Sequence, residues 1–81
     1  MEPRYQTLKT IYNIVKNEHH PLTYPLSLRE IIVRNLSGWD TIQQHLNQLM
    51  EEELIVMKQL DVKTISITQA GLNRFLVEEA V

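Results

Sequence analysis

Cysteine is absent from this chain of 81 residues, so no disulfide framework can staple it and no thiol can act as nucleophile or metal ligand. Glycine occurs only at Gly38 and Gly71, too sparsely for the glycine-rich loops that cradle phosphates. Long apolar runs are missing too. The longest, Leu54-Ile55-Val56-Met57, is four residues, against about 20 for a membrane-spanning helix. Met1-Glu2-Pro3-Arg4-Tyr5 offers neither the basic start nor the apolar stretch of a signal peptide, so a cytoplasmic protein with no membrane association is expected. The length admits one domain, 1–81, that buries only about 60 to 65% of its unfolded surface. Its apolar positions are then committed to one core, with little left to wall a substrate cleft. No G-x-S-x-G or P-loop pattern occurs either, and the expectation is a protein that is not an enzyme and carries no cofactor.

The net charge of −2 hides an uneven distribution. Residues 1–36 hold five basic and three acidic side chains, residues 37–53 none and four, residues 54–68 two and one, and residues 69–81 one and two. Nucleic-acid binders usually present a basic face, because each phosphate neutralised by Lys or Arg releases condensed counterions. Here the cations are scattered and the acidity is local to residues 40–53.

Hydrophobic periodicity divides the chain into elements. Tyr5, Leu8, Ile11, Tyr12 and Val15 lie within roughly 60° of one line at 100° per residue, which predicts an amphipathic helix over about 3–18. Ile14 falls off that stripe. His19 to Pro25 holds two prolines and reads as a loop. Ser27-Leu28-Arg29-Glu30 has the spacing of a capping box and opens a second helix over about 28–36, with Leu28, Ile32 and Leu36 inward. Ser37, followed by Gly38, is the expected cap of a third helix over about 38–53. That helix has an apolar stripe of Trp39, Ile42, Leu46, Leu49 and Met50, opposite a face of Thr41, Gln44, Gln48 and Glu51. The period then changes to 2, predicting antiparallel strands over about 54–59 and 63–68. Thr68 caps a last helix over about 69–79, with Leu72, Phe75 and Leu76 inward and Val77 pointing elsewhere. The expected core is Leu8, Ile11, Val15, Ile32, Leu46, Leu49, Ile67, Leu72 and Phe75.

The run Thr41-Ile42-Gln43-Gln44-His45-Leu46-Asn47-Gln48-Leu49-Met50-Glu51-Glu52-Glu53-Leu54-Ile55 resembles the third helix and first wing strand of bacterial regulators of the ArsR, MarR and PadR kinds. Thr68-Gln69-Ala70-Gly71-Leu72 is similar to the T-x-x-G-x with which such domains leave the wing. The order helix, helix, helix, strand, strand, helix agrees. The resemblance implies an α+β winged helix-turn-helix domain that binds duplex DNA, regulates transcription and works as a homodimer. Glu53 stands where the family has glycine.

The resemblance would lay the third helix in a major groove, with Thr41, Gln43, Gln44 and Gln48 near base edges and Asp40 and Asn47 beside them. Amide side chains can bond bidentately to adenine. Lys58 and Lys63 on the wing, with Arg29 and Arg34 on the second helix, would meet phosphates. Ile14 and Val77, both left off the core by periodicity, are the expected dimer contact, because terminal helices commonly carry it in such regulators. The rival reading is a protein-interaction module whose acidic third helix meets a basic partner. His19, His20 and His45 lack the spacing of a metal site, and none is expected. Glu51, Glu52 and Glu53 point in three directions around a helix and read as its solvated end.

Overall fold

The spacing of Tyr5, Leu8, Ile11, Tyr12 and Val15 forms a helix, α1 (Pro3–Val15), in the computed structural model, which describes residues 2–35, 38–59 and 61–79. Pro3 sits in its first turn, where a missing N–H has no partner to lose. The helix stops at Val15 rather than near 18. Lys16 still bonds the Tyr12 carbonyl at 2.8 Å, but Glu18 reaches only three residues back, to Val15 at 2.9 Å, ahead of the segment that Pro21 biases away from α geometry.

A strand the periodicity did not predict follows, β1 (Leu26–Ser27). Pro25 favours extended backbone before it, and β1 pairs antiparallel with a later strand, Leu26 opposite Ile65 and Ser27 opposite Thr64. The chain passes directly into α2 (Leu28–Asn35). There the Glu30 N–H donates to Ser27 Oγ at 3.3 Å, one half of the expected capping box. The next helix is α3 (Trp39–Glu51), whose N-cap is Gly38, without a side-chain cap. Ser37 and Leu36 lie outside the described residues. Strands β2 (Ile55–Gln59) and β3 (Lys63–Ile67) complete an antiparallel sheet of order β1-β3-β2, and α4 (Gln69–Glu79) closes the chain. The class is therefore α+β, with four helices and three strands among the described residues. No helix among them is long and apolar enough to cross a membrane.

The end of α3 shows how Glu53 stands in for glycine. Glu53 takes φ 61°, its N–H bonds the Met50 carbonyl at 3.0 Å, and the Leu54 N–H bonds the Leu49 carbonyl at 2.9 Å. These two bonds make a Schellman motif, which requires a left-handed residue where they cross. A side chain in that conformation costs about 1 to 2 kcal/mol. Glu53→Gly is accordingly expected to raise stability by about 1 kcal/mol, read as a higher urea midpoint at unchanged slope.

The core gathers Tyr5, Leu8, Ile11 and Val15 of α1, Leu26 of β1, Ile31 of α2, Ile42, Leu46 and Leu49 of α3, Leu54 from the loop that follows α3, Ile55, Ile65 and Ile67 of the wing strands, and Phe75 of α4. Four expectations need correction. Ile31 is fully buried while Ile32 is half-buried, because α2 turns Ile31 and Asn35, one helical turn apart, toward α1. Leu72 packs half-buried on the core and Leu76, expected inward, is 57% exposed. α4 seats instead on Gly71 and Phe75, and Leu76 lies a further 100° around. Trp39 is 42% exposed rather than core, since it is the first residue of α3 and overhangs the rim. Ile14 packs half-buried against the core. It shares the line of Thr7 and Thr10, whose hydroxyls meet Asn35 of α2, so α2 explains its departure from the stripe.

Candidate nucleic-acid interface

Helix α3 offers three sides. Ile42, Leu46 and Leu49 face the core. One flank, with His45, Gln44 and Gln48, borders a polar cleft of about 260 Å³ shared with Glu2, Pro3 and Arg4 at the start of α1. The other flank, with Trp39, Gln43, Asn47 and Met50, borders a groove of about 80 Å³ shared with Leu28, Met57 and Lys63 over Leu46. Thr41, Gln43, Gln44 and Gln48 are all exposed. Gln44 and Gln48 stand together on the α1 side, whereas Gln43 stands on the wing side. Asp40 and Glu51 share the exposed face, and residues 39–51 include no lysine or arginine.

The four cations expected at phosphates divide likewise. Arg29 and Arg34 border a shallow depression of about 430 Å³ on the outside of α2, with Ser27, Glu30 and Val33. In the hairpin, Lys58 is opposite Thr64 and Lys63 opposite Gln59. By the two-residue alternation of strands, Lys63 shares the face of Ile65 and Ile67, and Lys58 the reverse face with Val56. The two lysines therefore flank the wing rather than cluster. Among the described residues none of these four cations has an ion-pair partner.

Other cations are engaged elsewhere. Arg4 bonds Glu2 at 2.7 Å and Glu52 at 2.9 Å, and the Tyr5 hydroxyl donates to the same Glu52 carboxylate at about 3.1 Å. The guanidinium groups of Arg4 and Arg74 lie 4.6 and 4.8 Å from the centre of the Tyr5 ring. Arg74 also pairs with Glu78 at 3.2 Å. Glu52 is thus an anchor that ties the end of α3 to α1, not only solvated helix end as its position in the sequence suggests. Such exposed pairs contribute at most about 1 kcal/mol each, and their effect here is to fix α3 in place.

A second set of contacts, invisible in the sequence because it joins three helices, orients α3 from below. Asn35 Nδ2 donates to Thr7 Oγ1 at 3.3 Å, and the same hydroxyl is hydrogen-bonded to His45 Nδ1 at 2.8 Å. Thr7 is fully buried, and burial holds His45 below its ordinary pKa of about 6.5. With the folded value depressed, the unfolded chain takes up the proton first as pH falls. The contribution of His45 is complete above about 6.5 and is lost as pH drops below it toward the folded value. Wild type should lose stability between pH 7.5 and 5.5, and His45→Gln should lose less, in paired urea melts. Equal losses would contradict this coupling. Among the described residues no three His, Asp or Glu groups gather as metal ligands. His19 and His20 are exposed and their rings lie 6.3 Å apart.

Val77 is 60% exposed and Leu76 stands beside it. Ile14 does not join them, since it lies on the α2 side of α1, while α4 packs on the Tyr12 side, where Tyr12 and Phe75 stack at 4.2 Å. No family model, curated protein or solved structure matches the chain.

Proposed function

We propose that the chain is a winged helix-turn-helix domain that lays α3 in the major groove of duplex DNA and sets the β2–β3 wing along the adjacent backbone. One observation carries this reading. The exposed face of α3 is built of hydroxyl and amide side chains, Thr41, Gln43, Gln44, Asn47 and Gln48, none bonded within the chain among the described residues. Lys63 borders the wing side of α3, Arg29 and Arg34 stand on the outside of α2 and Lys58 on the reverse face of the wing, all four without an ion-pair partner among the described residues. The element order, with a short strand between α1 and α2 and sheet order β1-β3-β2, supports the same reading. Lysines on opposite faces of a hairpin suit a wing set edge-on between two phosphate lines. A homodimer through Leu76 and Val77 would present two such surfaces, without Ile14.

Duplex anisotropy titrations at several salt concentrations test the proposal. Four phosphate contacts give a slope near −3.6 in log K against log salt for each copy. Lys58→Ala should flatten the slope by about 0.9 on every sequence. Gln44→Ala should cost about 1 to 3 kcal/mol on the preferred sequence alone. The acidity of Asp40 and Glu51 on the same face favours a second reading, a protein-interaction module with a basic partner. Absence of any salt-dependent duplex binding at low ionic strength would leave that reading in place of the first.

A further inference from the structure

The groove between α3 and the wing has a composition that base recognition does not require. Its walls are Trp39 and Met50 of α3, Leu28 of α2 and Met57 of β2, with Leu46 as floor. Trp39 is 42% exposed, and Leu28, Met50 and Met57 are half-buried against the core, so part of their apolar surface stays open to water in the groove. Methionine and tryptophan are the side chains that adapt to an inserted aliphatic group, the one by flexible repacking and the other by a flat apolar face. Gln43 and Asn47 rim the opening and can bond a backbone amide of whatever enters. Among the described residues Lys63 is the only charged one lining the groove, and it has no carboxylate partner among them.

A slot of about 80 Å³ walled by Leu28, Trp39, Met50 and Met57, with one unpaired ammonium at its edge, complements an aliphatic side chain next to a carboxylate. We infer that this groove is a docking site for an acidic, leucine-bearing segment of a partner protein, seated with its aliphatic side chain between Trp39, Met50 and Met57 and its carboxylate on Lys63. Lys63 disfavours a basic residue at that edge of the groove, and a wholly apolar segment would leave its charge unpaired. The inference stands whether or not the domain binds DNA. If it does, segment and duplex compete for Lys63, and the partner would act as an antagonist of DNA binding.

Trp39 is the sole tryptophan of the chain and reports occupancy directly. A short peptide alternating leucine with aspartate, added to the intact protein, is expected to shift its emission to the blue along a saturable curve. A leucine–lysine peptide of equal length should leave the emission unmoved. Lys63→Glu, at an exposed strand position, should keep the fold by circular dichroism, weaken the aspartate peptide about tenfold and confer binding of the lysine peptide. A second variant, Met57→Gln, should weaken the aspartate peptide without changing the charge preference. Three results would overturn the proposal: no saturable shift with the aspartate peptide at millimolar concentration, equal shifts with both peptides, or an unchanged preference in Lys63→Glu. A blue shift that grows with protein concentration in the absence of peptide would assign the groove to a second copy instead.

Discussion

Gly71→Ala is expected to destabilise the fold by about 3 kcal/mol or more, a large part of the roughly 4 to 12 kcal/mol that a domain of this size commands. Alanine inside a helix ordinarily gains about 1 kcal/mol over glycine, so the sign depends on what the added methyl meets. It would overlap the Leu54 carbonyl and lie 2.8 Å from Ile67 Cγ1. That carbonyl has little freedom to retreat. It accepts the Thr68 N–H at 3.0 Å, while Thr68 Oγ1 accepts the Gly71 N–H at 2.9 Å and donates to the Glu53 carbonyl at 2.8 Å. The close approach of α4 to the end of α3 is locked from both sides, and a methyl group must break the lock or push α4 off the core. Gly38 supplies the contrast, since a Cβ there meets nothing within 4 Å. Gly38→Ser, adding a hydroxyl at the N-cap of α3, should gain a few tenths of a kcal/mol. Urea midpoints of the two variants should therefore move in opposite directions. A Gly71→Ala domain as stable as wild type would contradict the seating of α4 on Leu54.

Gly71 also marks the limit of what could be read in advance. Its place in the T-x-x-G run pointed to a helix start at Thr68, and Thr68 does cap α4. The reason for the glycine, a carbonyl from the far side of the hairpin, needs the folded chain. Elements with a strong period were legible: α1, α3 and the β2–β3 hairpin arise where the stripes of Leu8 to Val15, Ile42 to Leu49 and Ile65 to Ile67 place them. β1 was not, because two residues are too few to show a period and it exists only by pairing with β3. Ile31 displaced Ile32 for a similar reason. Both fit an eight-residue helix, and only the docking of Asn35 on Thr7 and Thr10 chooses between them. At the candidate interface, the exposure of Thr41, Gln43, Gln44 and Gln48 followed from the α3 stripe. Their division between two flanks, and the separation of Lys58 from Lys63, required the register of the hairpin.

Leu46→Ala is expected to cost about 2 to 5 kcal/mol. Leu46 is 1% exposed and sits where α3 meets the core and the floor of the groove under Trp39, Met50 and Met57. Removing its branched end forfeits the transfer of three carbons from water and leaves a void that the surrounding close-packed core fills only in part. The lower end of the range applies if Met50 and Met57 swing inward, since methionine collapses into gaps more readily than β-branched side chains. Leu76→Ala is the matched control. It is the same substitution in another helix, with the same change in helix propensity, at a residue 57% exposed, and in protein dilute enough to be monomeric it should shift stability by no more than about 0.5 kcal/mol. The difference between the two urea midpoints isolates burial from propensity. If Leu46→Ala and Leu76→Ala unfolded at the same urea concentration, α3 could not lie on the core by its Ile42, Leu46 and Leu49 face, and the exposure of Gln44 and Gln48 on the opposite side would have to be abandoned with it.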